Sequence, residues 1–130
     1  MADKSPTEIF GDFIAAMHGA PVPDDLDRGH ARLVPSGRFA TARAAALING
    51  AGSHTVEFDD IFRDGLYHPG VAVIPAALAL AEDTGADGDL FLRAVIAGYE
   101  VSNRIAAAVN PAHYDYWHTT ATIGFFGGTA

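Results

Sequence analysis

Residues 87–109 read DGDLFLRAVIAGYEVSNRIAAAV, and their spacing decides the fold. Asp87 stands where a helix N-cap belongs, because a short carboxylate side chain can accept from the free N–H groups of a first turn. Leu92, Val95, Ile96 and Tyr99 recur at helical spacing and mark a packed side. Arg93, Ala97, Glu100 and Arg104 form the wet stripe, in which Glu100 and Arg104 are at pairing distance. Pro111 breaks the pattern.

Reading outward from this helix, the neighbouring segments are also helical. Val71 to Thr84 predicts a helix with Pro75 in its first turn and Gly85 as its stop. Phe39 to His54 predicts another, built from small side chains that let helices approach closely, and therefore interior. Ser5, Pro6 and Glu8 open an N-terminal helix by the capping rules, with Ile9, Phe10, Phe13, Ile14 and Met17 as its apolar stripe and Gly19 as its end. Ala20 to Gly37 carries Pro21, Pro23 and Pro35 among mixed charges and reads as a linker or irregular loop. No strand pattern of period two stands out, so the expected class is all-α. The expected organisation is a helix over 1–19, an irregular stretch over 20–37 and part of a helical domain over 38–130. Thr119 or Thr120 would cap a last helix that reaches Ala130 without a charge or a cap. Such an apolar end is expected to pack on something further, as in a piece of a larger protein.

Composition narrows the function. The chain has 130 residues, 49% hydrophobic and 18% charged, which is globular usage. Its net charge of -8 disfavours nucleic acid, whose phosphates dominate affinity, and it lacks the basic clusters that dock on anionic membranes. The longest uncharged apolar run, Val71 to Ala81, is too short to span a bilayer. There is no cysteine, so disulfides, thiolate metal sites and cysteine nucleophiles are excluded. With no signal-peptide pattern at the N-terminus, a cytoplasmic location is expected.

Two clusters carry chemistry. The first runs from His54 through Glu57, Asp59, Asp60, Arg63 and Asp64 to His68, inside EFDDIFRDGLYHPG and the residues just before it. His54 and Glu57 are three apart and can share a helix face. Asp59 and Asp60 point to different sides, so one of them is expected to face a site. His68 is fixed before Pro69-Gly70, and a histidine held this way suits acid–base catalysis. Solvated loop charges and helix caps account for the same residues. A metal hydrolase with a divalent ion held by His54, Glu57, Asp59, Asp60 and His68 is a lesser alternative, since the spacing matches no compact metal motif. The second cluster is Tyr114 to Thr120. His118 followed by Thr119 and Thr120 at a helix N-terminus could seat a carboxylate, since free N–H groups and the helix dipole attract anions. On pattern alone, a simple Thr119 N-cap beside a His118 packed under Trp117 is the favoured reading of these residues. Together the clusters suggest proton abstraction next to a carboxylate, with positive charge supplied by Arg63, the histidines and helix ends.

The order of motifs FATARAAALINGAGSHTVEFDD, YHPG, FLRAVIAGYEVSNRI and WHTTATIGFFGG resembles the MmgE/PrpD family, over roughly Arg38 to Ala130. That family includes 2-methylcitrate dehydratase, cis-aconitate decarboxylase and iminodisuccinate epimerase. The resemblance implies a helical domain followed by an α+β lid, usually in a homodimer. It implies lyase or isomerase chemistry on small di- or tricarboxylates, with no metal and no organic cofactor. The family's acid and histidine positions fall on Glu57, Asp60, His68 and His118. His68 or His118 would move protons, Glu57 and Asp60 would orient them, and Thr119, Thr120, Arg63 and His54 would help seat substrate. Ile61 stands where dehydratases and decarboxylases often carry Thr, and Glu57 where Asp is common, which leaves the substrate open. Basic residues and a lid from later in such a protein are not in these residues, so the chain by itself is expected to be inactive and to need a second copy or a missing part. A non-catalytic helical association module is the alternative.

Overall fold

The computed structural model describes residues 26–34, 36–55 and 57–130. The N-terminal helix expected up to Gly19 lies outside these residues. Among the described residues there are four helices: α1 (Ala42–His54), α2 (Gly70–Thr84), α3 (Gly88–Val109) and α4 (Thr119–Thr129). A 3-10 turn, Arg63–Gly65, interrupts the loop between α1 and α2. The all-α class holds, with one small addition.

That addition lies in the stretch expected to be irregular. Leu26–Arg32 forms a strand, β1, which pairs antiparallel with the two-residue β2, Phe39–Ala40. The sequence LDRGHAR hides this strand because the ribbon does not alternate between core and solvent. Only Ala31 of β1 is buried, and Asp27 and Gly29 take positive φ values of 58° and 74° that break the register. What holds the strand is polar. The His30 and Arg32 amides donate to Asp83 and Glu82 on α2, at 3.2 and 2.6 Å. Arg38 closes the hairpin by pairing with Asp27 at 2.5 Å. Phe39 and Ala40, expected inside the first of these helices, belong to the ribbon instead. α1 starts later, with Thr41 accepting from the Ala44 amide as its N-cap.

The stop of α2 and the cap of α3 are as expected. Asp87 Oδ1 accepts from the Leu90 amide at 2.8 Å and opens α3, and Gly85 closes α2 in the left-handed region. Pro75 sits deeper in α2 than its first turn, buried in the helix interior. The last helix is not capped by a threonine side chain: His118 occupies the N-cap position without a side-chain bond, and Thr119 and Thr120 are buried just inside α4.

The packed face of α3 also differs from the expected one. Leu92 and Ile96 are 58% and 67% exposed, whereas Gly98, Ser102 and Ala106 are buried. Small residues four apart give α3 a flat face, and the neighbouring backbones come in close. A Cβ on Gly98 would lie 2.6 Å from the Gly127 carbonyl oxygen of α4 and 2.6 Å from Val73 of α2. Close backbone approach thus outweighs burial of the larger side chains here. One core cluster joins Ala31, Leu33, Ala40, Ala45 and Ala79 under the ribbon, and a second joins Tyr67, Ala106 and Ile123 under the α1–α2 loop.

Candidate functional site

The loop from Thr55 to Pro69 is pinned so that its charged residues converge. Phe62 and Tyr67 exchange backbone hydrogen bonds, from the Phe62 amide to the Tyr67 carbonyl at 2.7 Å and back at 3.3 Å, closing a small hairpin around the 3-10 turn. Leu66 turns the chain at a φ of 48°. Tyr67 is fully buried against the second core cluster, and that burial pushes its phenol pKa up. His68 follows directly, and its amide donates to Thr120 Oγ1 on α4 at 3.2 Å.

Asp60 anchors the start of α2. Its Oδ1 accepts from the Gly70 amide at 3.1 Å and its Oδ2 from the Tyr99 hydroxyl at 3.0 Å. Burial, with the Asp60 bond and charge adding to it, pushes the Tyr99 pKa well above its ordinary value. The fit depends on glycine: a Cβ at position 70 would collide with Asp60 and stand 2.8 Å from the Tyr99 hydroxyl.

Asp59 turns the other way, as the adjacent-residue geometry requires. Its Oδ2 lies 2.8 Å from Nδ1 of His54, the last residue of α1, and 3.1 Å from Nδ1 of His68. The two imidazole rings are 5.1 Å apart. The Asp59 side chain is only 8% exposed. Burial alone would raise its pKa, but its own backbone N–H, the His54 bond and the charges of His54 and His68 outweigh this and hold it below the usual carboxylate value. These three residues offer nitrogen and oxygen ligand atoms all within 4.8 Å of one another. A shallow cleft of about 260 Å³ borders Asp59 and Asp60, walled by Ser53, Gly70, Val71, Ile74 and Pro75.

A model of the MmgE/PrpD N-terminal domain matches residues 12–130. The chain belongs to the MmgE/PrpD family. No curated protein matches it. The match reaches further toward the N-terminus than the motifs from Arg38 onward, and it takes in the β ribbon.

Within this MmgE/PrpD domain the expected site residues separate into two groups. His54, His68, Asp60 and Thr120 are brought together by the loop and the ends of α1, α2 and α4. The side chains of Glu57, His118, Arg63 and Thr119 make no hydrogen bond or ion pair with them among the described residues, although the Glu57 amide donates to the His54 carbonyl at 3.1 Å. Glu57 lies past the end of α1, exposed, at a φ of 52°, so it does not share a helix face with His54. His118 is exposed, its ring edge-on to Tyr114 at 6.1 Å, and no hydrogen bond or ion pair among the described residues joins it to His68. Arg63 is exposed on the 3-10 turn without such a bond. Thr119 is buried, and its hydroxyl faces the Asn110 amide group, which also donates to the Gly65 carbonyl at 2.6 Å. Asp59 is the central residue that sequence reading did not single out above its neighbours. Its signal was position alone, next to an acid occupied by a helix end.

The alternative metal set narrows from five residues to three, since Glu57 is exposed and Asp60 is bonded to α2 and Tyr99. No described helix is long and apolar enough to cross a membrane.

Proposed function

We propose that this MmgE/PrpD domain carries the imidazole side of an acid–base site that takes a proton from carbon next to a carboxylate in a small di- or tricarboxylate. The observation that carries the reading is His68, held by its amide to Thr120 and facing a buried Asp59 carboxylate with its Nδ1. A carboxylate on that side favours the imidazolium that forms when Nε2 accepts a proton, which is what a general base needs. The N-terminus of α4 adjoins the same histidine, and its free N–H groups suit the substrate's carboxylate, whereas the first amide of α2 is taken by Asp60. Asp60 and Tyr99 keep the α2 end in place. His118 is assigned the second proton transfer by the family pattern, to a leaving hydroxyl in a dehydratase or to the opposite face in an epimerase. Neither a metal nor an organic cofactor is required for these steps.

The cleft is bordered by two carboxylates, and no Lys or Arg among the described residues lines it. Binding without turnover is therefore expected of these residues alone, with cationic groups supplied by a second copy or by a further part of the fold. Exposed Ile96 on α3 and Phe125 on α4, 67% and 70% accessible, support such an association. A nuclear magnetic resonance titration with citrate, succinate and acetate tests the reading. Saturable shifts at His68 and Thr120 with the polycarboxylates, lost in His68→Gln, are expected. Shifts confined to residues remote from His68, or the same response to acetate, would remove it.

A further inference from the structure

Two atoms beside His68 are unused in the acid–base reading. Asp59 Oδ1 and His68 Nδ1 are shielded from solvent and make no hydrogen bond. His68 Nδ1 is 3.1 Å from Asp59 Oδ2, yet without the alignment of a hydrogen bond. Buried polar atoms are nearly always partnered, so a nine-tenths buried carboxylate whose Oδ1 is idle and whose Oδ2 lies between two imidazoles points to something that binds there. Both histidines present the same nitrogen, Nδ1, to the same oxygen. One proton can bridge His54 and Asp59, but it leaves His68 facing that oxygen without a bond.

We propose that His54, Asp59 and His68 form a three-ligand site for a divalent cation of the zinc class, with its fourth position open toward the cleft beside Ser53 and Asp60. Zinc holds nitrogen at about 2.0–2.1 Å and carboxylate oxygen at about 2.0–2.2 Å, which sets neighbouring ligand atoms of a tetrahedral site about 3.3 Å apart. The two nitrogen–oxygen edges here are 2.8 and 3.1 Å, so the ligands need move by only tenths of an ångström along those edges. Two imidazoles and one carboxylate select zinc, cobalt or nickel over magnesium and calcium, which prefer all-oxygen shells. The backbone favours the site on one side only: His54 ends α1, whose negative end attracts a cation, whereas His68 stands before the positive end of α2. The chain's net charge of -8 draws cations toward the cleft.

The site has a consequence for the proposed chemistry, and that consequence rests on the proposed function, whereas the binding itself does not. A neutral imidazole that ligates through Nδ1 keeps its proton on Nε2. His68 with a cation on Nδ1 therefore cannot accept a proton at Nε2, and the cation acts as an inhibitor.

Calorimetric titration of the 130-residue chain with zinc, and separately with magnesium, tests the site. One saturable equivalent of zinc and no magnesium binding are expected. His54→Gln and Asp59→Asn should each weaken zinc at least about tenfold, while His30→Gln, an exposed histidine on β1, leaves it unchanged. Circular dichroism checks that the variants fold. Should either variant unfold, cobalt added to the unaltered chain gives a second reading: visible bands of a tetrahedral nitrogen–oxygen field are expected, and an octahedral aquo spectrum overturns the site. Absence of saturable zinc binding, or binding that both ligand variants leave intact, overturns it too. Zinc binding with no polycarboxylate response at His68 would sink the proposed function and keep the site, and the reverse result would do the opposite.

Discussion

The two histidine segments of this domain, 54–70 and 113–120, look alike in sequence and differ in structure. Each places a histidine just before a helix, beside aromatic and hydroxyl residues. In the first, backbone pairing of Phe62 with Tyr67, the buried Tyr67 ring and the Thr120 bond fix His68 against a carboxylate. In the second, Tyr116, Trp117 and His118 are exposed, and the buried bonding passes to His113 and Thr119 on either side. A histidine before a helix is thus not a site by itself. It becomes one when the preceding loop is anchored from below and a charge is held beside it.

The contrast can be broken most severely at Gly70. Gly70→Val forces a side chain into the Asp60 and Tyr99 contacts and is expected to cost at least about 1–3 kcal/mol, the usual range for overpacking, in a denaturant melt. A variant as stable as the parent would mean that the Asp60 anchor is absent in solution. The corresponding change in the second segment, Thr119→Val, leaves the Asn110 amide short of one buried partner and is expected to cost about 1–2 kcal/mol. Equal stability there would show that Asn110 is satisfied by the Gly65 and Ala106 carbonyls alone.

Acid sharpens the comparison. The folded pKa of Asp59 is depressed, so its stabilising contribution is present above the ordinary carboxylate value and is lost as pH falls through the lower folded value. Melting at a series of pH values should show a loss of stability below about pH 4 that Asp59→Asn reduces. An identical acid limb in both proteins would assign the loss to other carboxylates. The smallest effect belongs to His118→Ala, expected within about 0.5 kcal/mol because the ring is exposed and bonded to nothing described. A larger cost would show that its contact with Tyr114 holds the segment together.

The sequence reading served best where a signal is local. Gly85 ended one helix and Asp87 began the next, and Asp59 and Asp60 divided between two faces as neighbours in an extended loop must. The metal alternative named all three residues that converge. It failed where the decisive contact is distant. Nothing in LDRGHAR reveals that Glu82 and Asp83, some fifty residues on, accept from its amides. Leu92 and Ile96 outrank Gly98 and Ser102 on any hydrophobic count, yet the helix turns its small residues inward because α4 comes within backbone contact. Thr119 and Thr120 read as one pair, but the first belongs to Asn110 and the second to the His68 amide, a division that only the helix phase decides.

That close seating of α4 has a mechanical meaning. Gly98 lies against the Gly127 carbonyl, Gly127 against Ser102 and Val73, and Gly124 against Ala72, with little compressible side-chain padding between them. The helix is therefore wedged between α2 and α3 like a stiff slat, its outward Phe125 and Phe126 at one end and Thr120 at the other. Pressure on those phenyl rings has no soft layer in which to dissipate. The same stiff helix carries the exposed phenyl rings and the hydroxyl that holds the His68 amide, so a shift of the one end would be felt at the other.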